Sequence, residues 1–221
     1  EALPGVNCGA CGYTGCDEYA KAIANEGAET NLCIPGADSV ANQIAGIMGV
    51  ESKDVVEMKA YVHCNGNCEA TSPKVHYDGQ MTCRSANLLY GGPGKCRFGC
   101  LGCGDCARAC PVGAICLKDG IAHVNPEICI GCGLCVSDCP KGIISLIPQV
   151  SKIGVMCSSE DKGAVAMKNK KNACIGCKKC ESTCPSGAIK VENNLAEIDY
   201  SLCTACGECA EVCPTKCIHK L

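Results

Sequence analysis

The chain has no tryptophan, one phenylalanine and six tyrosines among its 221 residues. Aromatic side chains supply much of the burial energy of ordinary cores, so their scarcity excludes a large apolar core as the main source of stability. No run of about 18 apolar residues occurs, which leaves nothing in the given sequence to span a bilayer as a helix. A secretory signal pattern is also lacking. Basic residues are outnumbered, 20 Lys and Arg against 23 Asp and Glu, for a formal charge of −3. With so little positive charge and aromatic stacking surface, nucleic acid is not an expected partner. No G-x-G-x-x-G follows a strand-like run and no flavin site is visible, so the sequence carries no sign of a dinucleotide-binding fold.

What the chain has is cysteine, 27 residues of it, well above the ~8–10% that marks a cysteine framework. Sixteen of these fall in four copies of C-x2-C-x2-C-x3-C-P. The copies are Cys100, Cys103, Cys106, Cys110; Cys129, Cys132, Cys135, Cys139; Cys174, Cys177, Cys180, Cys184; and Cys203, Cys206, Cys209, Cys213. They form two pairs. Motifs start 29 residues apart within a pair, and the pairs repeat at a period of 74. This run is the ligand pattern of bacterial two-cluster ferredoxins, in which the fourth cysteine serves the other cluster of the pair. The expected sets are therefore crossed: Cys100, Cys103 and Cys106 with Cys139; Cys129, Cys132 and Cys135 with Cys110. In the second pair they are Cys174, Cys177 and Cys180 with Cys213, and Cys203, Cys206 and Cys209 with Cys184. Zinc knuckles need no third cysteine two residues further on, and a disulfide scaffold has no reason to repeat this run with its proline.

Two further groups are less regular. Residues 1–60 are acidic, with nine Asp and Glu against three Lys, and carry Cys8, Cys11, Cys16 and Cys33. A helix is expected over 17–26 with Gly27 as its stop, and a second from about Asp38 with Val40, Ile44 and Ile47 on one face. Residues 61–98 hold Cys64, Cys68, Cys83 and Cys96 in a spacing that matches no derivable motif. This middle set is read as a further [4Fe–4S] site, with Cys100 competing with Cys96 as its fourth ligand and zinc as the rival metal. Six clusters use 24 cysteines, or five clusters result if the middle site is empty. Cys116, Cys157 and Cys217 remain. Cys116 reads as a bystander and Cys217 as a small packed hydrophobe, while Cys157 has no obvious companions.

Between the motifs of each pair, 114–117 and 121–124 read as a hairpin turning at Asp119–Gly120, and 188–191 and 195–198 repeat it at Asn193–Asn194. Residues 147–172 read as a lysine-bearing linker, with a strand within 150–157. Lys168, Lys170, Lys171, Lys178 and Lys179 are candidates for a docking patch, because charge complementarity raises encounter rates. The expected class is α+β: an N-terminal helical iron–sulfur domain (1–60), the middle region (61–98), a two-cluster ferredoxin domain (99–146), the linker (147–172) and a second such domain (173–221).

The run from Leu3 to Cys16 with its continuation Asn31–Leu32–Cys33–Ile34–Pro35–Gly36, together with Cys83 to Gly92, resembles the B-subunit family of the Rnf complex. The resemblance covers essentially the whole chain. It implies a peripheral electron-transfer subunit on the cytoplasmic face of a membrane complex that takes electrons from ferredoxin. It further implies other membrane subunits as partners, NAD on a different subunit, and coupling to sodium or proton translocation. Family members usually carry a transmembrane helix just before this motif. A soluble ferredoxin-like subunit of an electron-bifurcating enzyme and an iron–sulfur sensor are the alternative readings.

Overall fold

In all four cysteine motifs a short helix begins five residues after the first cysteine. In this computed structural model, which describes residues 2–76 and 78–221, these helices are α4 (Asp105–Ala109), α5 (Leu134–Asp138), α7 (Lys179–Thr183) and α8 (Glu208–Glu211). Each is preceded by a left-handed residue, Gly104, Gly133, Lys178 or Gly207. A second left-handed residue stands two positions earlier, Gly102, Gly131, Gly176 or Ala205. Glycine occupies six of these eight positions because it adopts positive φ without the Cβ penalty. In the first three motifs the fourth cysteine, Cys110, Cys139 or Cys184, is extended. The proline that follows each of them disfavours a helical conformation in the residue before it, so the helix ends and the cysteine turns away from its own loop.

The remaining elements close these loops into two matching units. In chain order they are α1 (Cys16–Glu26), α2 (Ala37–Met48), β1 (Met58–Val62), α3 (Cys83–Leu88), then β2 (Ile115–Lys118) and β3 (Ile121–Val124) after α4. β4 (Ile144–Pro148), β5 (Ile153–Val155), α6 (Gly163–Asn169), β6 (Ile189–Glu192), β7 (Leu195–Ile198) and β8 (Ile218–Lys220) complete the chain. Among the described residues the four sheets are antiparallel pairs: β1–β4, β2–β3, β5–β8 and β6–β7. The hairpins turn where expected, at Asp119 and Gly120 and at Asn193 and Asn194, all with positive φ, as a two-residue type I′ loop requires. Each unit also pairs a strand upstream of its first motif with its last strand, Val62 opposite Ile144 and Val155 opposite Ile218.

Three small cores result among the described residues. The N-terminal one gathers Tyr19, Ile23, Cys33, Val40 and Ile44. The other two surround the motif pairs: Val62, Ile115, Ile121, Ile143 and Ile144 in the first, Ile153, Val155, Ile189, Val191 and Ile218 in the second, each interleaved with cysteines. The helix expected over 17–26 runs from Cys16 to Glu26 and stops at left-handed Gly27. Ile47 departs from expectation: it is 75% exposed, because α2 outruns a core that ends at Ile44. The stretch read as a linker contributes β5 and α6, and β5 is an integral strand of the second unit. Lys170, grouped with the surface lysines, is only 2% exposed. It follows directly on α6 and turns inward between the two units.

Candidate metal centres

The N-terminal loop is held by side chains rather than by sheet. Asn7, with positive φ, accepts the Cys16 amide through Oδ1 at 2.8 Å, which folds the Cys8–Cys11 turn onto the start of α1. Tyr19 donates its hydroxyl to the Glu29 carbonyl at 2.7 Å and accepts the Leu32 amide at 3.1 Å, fixing the segment that delivers Cys33. A Cβ at Gly36 would stand 2.5 Å from a Val40 methyl and 3.1 Å from Cys33 Sγ, so only glycine fits beside that sulfur. Cys33 is buried, and burial raises its thiol pKa, helped by the nearby Cys16, Cys8 and Cys11. The four cysteines of this group thus share one place.

The motif cysteines meet in the crossed sets. Cys174, Cys177, Cys180 and Cys213 line one pocket with Val191, Ala196 and Ile218. Cys184, Cys203, Cys206 and Cys209 line another with Ile153, Ile189 and Ile198. In the first unit, Cys100, Cys106 and Cys139 line a third. Cys135 has Cys129, Cys132 and Cys110 close enough to raise its thiol pKa further. Among the described residues no three cysteine, histidine or carboxylate groups converge on one point. The cysteines stand instead around small pockets whose remaining lining is mostly apolar.

Burial keeps several of these thiols protonated unless a metal displaces the protons. Burial, with other thiols close by, raises Cys106 to about 12 and Cys135 and Cys180 to about 11. Four thiolates cannot share such a site in neutral water without bound metal. The donors are all soft sulfur, which favours iron–sulfur clusters or zinc, and backbone amides point at several sulfurs. Ala60 donates to Cys129 Sγ and Ala114 to Cys110 Sγ, both at 3.3 Å. Such N–H···S bonds tune cluster potentials. The residues present fit [4Fe–4S] clusters.

Two cysteines stand where spacing did not put them. Cys83, expected in the middle set, opens α3 against the first motif: its thiol pairs with that of Cys103 and lines the cavity of Cys100, Cys106 and Cys139. Cys217 is 1% exposed, as a packed residue should be, yet its Sγ lies 3.6 Å from Cys213 Sγ and it lines the third motif's cavity. Hydrogen bonding to Cys217 lowers Cys174 to about 6 and Cys213 to about 4. Each unit therefore carries a fifth cysteine beside its first motif. Cys64 and Cys96 stay together, Cys68 sits exposed with its amide on the Asp119 carbonyl at 3.1 Å, and Cys116 is exposed on β2.

Comparison with known proteins finds iron–sulfur families along the chain. Residues 3–35 match an Fe-S cluster family, and residues 99–143, 128–189 and 166–214 match families described as 4Fe-4S dicluster domains. The chain is 44% identical over 218 residues to the B subunit of the Na(+)-translocating ferredoxin:NAD(+) oxidoreductase complex of Acetobacterium woodii, covering 98% of this chain and 66% of that protein. It is 44% identical over 225 residues to the B subunit of the proton-translocating ferredoxin:NAD(+) oxidoreductase complex of Clostridium ljungdahlii, covering 100% and 79%. Against the B subunit of the ion-translocating oxidoreductase complex of Methanosarcina acetivorans it is 42% identical over 218 residues, covering 98% and 83%.

Proposed function

The chain belongs to the B-subunit family of ion-translocating ferredoxin:NAD oxidoreductase (Rnf) complexes, and from that premise we propose how it relays electrons. It is an iron–sulfur electron-transfer subunit of such a complex. Its clusters accept and release single electrons, and the protein's own task is to space, bury and hydrogen-bond them. We read the two matching units as tandem two-cluster ferredoxin domains and the cysteine sets as holding six [4Fe–4S] clusters. Reduced ferredoxin is the donor, NAD chemistry belongs to a different subunit, and the chain sits peripherally at the cytoplasmic face. Among the described residues no helix is long and apolar enough to cross a membrane.

The observation that carries this reading is continuity between neighbouring cysteine sets. Cys8 of the N-terminal group is a near neighbour of Cys132 in the second motif. The contact is tight: a Cβ on Gly131 would collide with the Met58 carbonyl and press on Ile34. Cys106 of the first motif has Cys135 of the second nearby. Adjacent sets are thus close enough to pass electrons without the chain moving. The exposed lysines 168, 171, 178 and 179 surround the third motif, and Lys178 lines its cavity, which supports docking of an acidic donor there.

The test is a stopped-flow measurement of anaerobically reconstituted protein mixed with reduced ferredoxin, alongside a potentiometric titration. Several reversible low-potential clusters, reduced faster than ferredoxin reoxidises alone, are expected. Clusters that ferredoxin leaves oxidised would refute the relay.

A further inference from the structure

Cys157, the cysteine without companions in the sequence, has a close structural counterpart in the other unit. Cys64 lies two residues beyond β1 and Cys157 two residues beyond β5, the strands that pair with the last strand of each unit. The intervening residues match too: the His63 amide donates to the Ile143 carbonyl and the Met156 amide to the Cys217 carbonyl, both at 2.7 Å. Both strands carry the same short signature, Lys59-x2-Val62-x-Cys64 and Lys152-x2-Val155-x-Cys157.

The two sulfurs are bonded alike. Cys64 Sγ accepts the amides of Gly66 at 3.4 Å and Cys100 at 3.3 Å. Cys157 Sγ accepts those of Ser159 at 3.5 Å and Cys174 at 3.2 Å. Cys100 and Cys174 are the first cysteines of the first and third motifs. Each of Cys64 and Cys157 is 2% exposed, and each touches the backbone of the neighbouring motif set.

A buried cation lies between them. Lys170 Nζ is 3.4 Å from Cys157 Sγ and 3.5 Å from the Met156 carbonyl, and its stem fills the space over Gly66 beside Cys64. Among the described residues Lys170 forms no ion pair with a carboxylate. A lysine is almost never this buried without a negative partner, and here the only anions to hand are sulfur. Cys96 completes the group, with Lys170, Cys64 and Cys157 around its half-buried thiol. The Arg97–Asp161 ion pair at 3.2 Å ties its segment to the loop after Cys157.

The geometry points to a [4Fe–4S] site that joins the two ferredoxin-like units, with the buried Cys64 and Cys157 and the half-buried Cys96 as its ligands. Cys83 is not part of it. This rests on reading the chain as a multi-cluster relay, and it places the middle site as the bridge between the first and third motif sets. One electron leaves the cluster of one unit, reduces the bridge and then passes to the other unit, with no proton or further reactant. The Lys170 ammonium favours the reduced, more negative state of that cluster.

Iron and acid-labile sulfide analysis with EPR on anaerobically purified full chain tests it. Wild type is expected near 24 irons, from about six four-iron clusters. Cys157→Ala is expected to lose about four of them, and Cys83→Ala none. Lys170→Met is expected to keep the iron and lower the midpoint potential of a single cluster. Should Cys157→Ala fail to fold, Cys157→Ser is expected to keep the iron but change one EPR signal. Full iron in Cys157→Ala together with loss in Cys83→Ala would overturn the site, as would an unchanged titration in Lys170→Met. These readouts are independent of ferredoxin oxidation, so a chain with full iron that ferredoxin fails to reduce would sink the relay while leaving the site standing.

Discussion

The two matching units share a cysteine plan and differ in what surrounds it. In the first, Cys64 and Cys100 stand 36 positions apart, and the segment between them carries Cys68, Cys83, α3 and Cys96. In the second, Cys157 and Cys174 stand only 17 positions apart. The first unit presses its second motif against Met58 and Ile34 at Gly131, where no Cβ fits, whereas the second unit accommodates a Cβ at the corresponding Ala205. Where the first unit has Asp105, ion-paired to Arg108, the second has Lys179. The difference teaches that backbone geometry around sulfur is held constant, while charge and bulk at the rim are free to specify partners.

Breaking the crossed ligation should have the largest effect. Cys139→Ala is expected to remove the cluster of Cys100, Cys103 and Cys106, about four irons, and to leave that of Cys129, Cys132 and Cys135. Its counterpart should behave differently. Cys217 Sγ lies 3.6 Å from Cys213 Sγ, so Cys213→Ala is expected to retain its cluster through Cys217, with a changed EPR signal. The double variant should lose it. Equal iron loss from Cys139→Ala and Cys213→Ala would erase this asymmetry.

A smaller effect separates one position of the repeat. Gly131→Ala puts a Cβ into the Met58 carbonyl at positive φ, and should sharply shorten the life of the clusters in air, read as decay of the visible absorbance. Ala205→Gly, at the equivalent place, removes a left-handed strain of roughly 1–2 kcal/mol, partly offset by the ~0.5–1 kcal/mol entropy cost of glycine. It should prolong cluster life slightly. Opposite signs are the point of the comparison, and equal signs would defeat it.

The charge difference at the rim sets the smallest expected change. Lys171→Glu with Lys179→Glu should slow electron uptake from ferredoxin several-fold at low salt, and screening over ~8 Å should shrink the gap at physiological ionic strength. Asp105→Lys in the first unit should leave the rate unchanged. Stopped-flow traces at two salt concentrations would show whether only the second unit responds.

Much of this was legible in the sequence because the relevant signals are local. A cysteine run with its proline states its own crossing, and Asp119–Gly120 and Asn193–Asn194 mark hairpins that need nothing beyond their neighbouring residues. Gly27 ends α1 for the same reason. The failures are all long-range. Cys64 and Cys157 match only after strands far apart in sequence have paired, and unequal insertions hide the match from the 74-residue period. Cys83 belongs to no motif spacing and is placed by the packing of α3 on the first motif. Lys170 looks like its neighbours in a lysine-rich stretch until the fold turns it inward, and Ile47 keeps the helical rhythm where no core remains to receive it.

The closing strands also set an order of assembly. β1 waits unpaired until β4 has been synthesised, and β5 waits for β8, so during translation the first unit can fold while the second is still being made. The bridge between them takes Cys64 from one unit and Cys157 from the other. It therefore stays incomplete until the second unit has closed on β8, and a chain shortened before Ile218 would keep the first unit with nothing to connect it to.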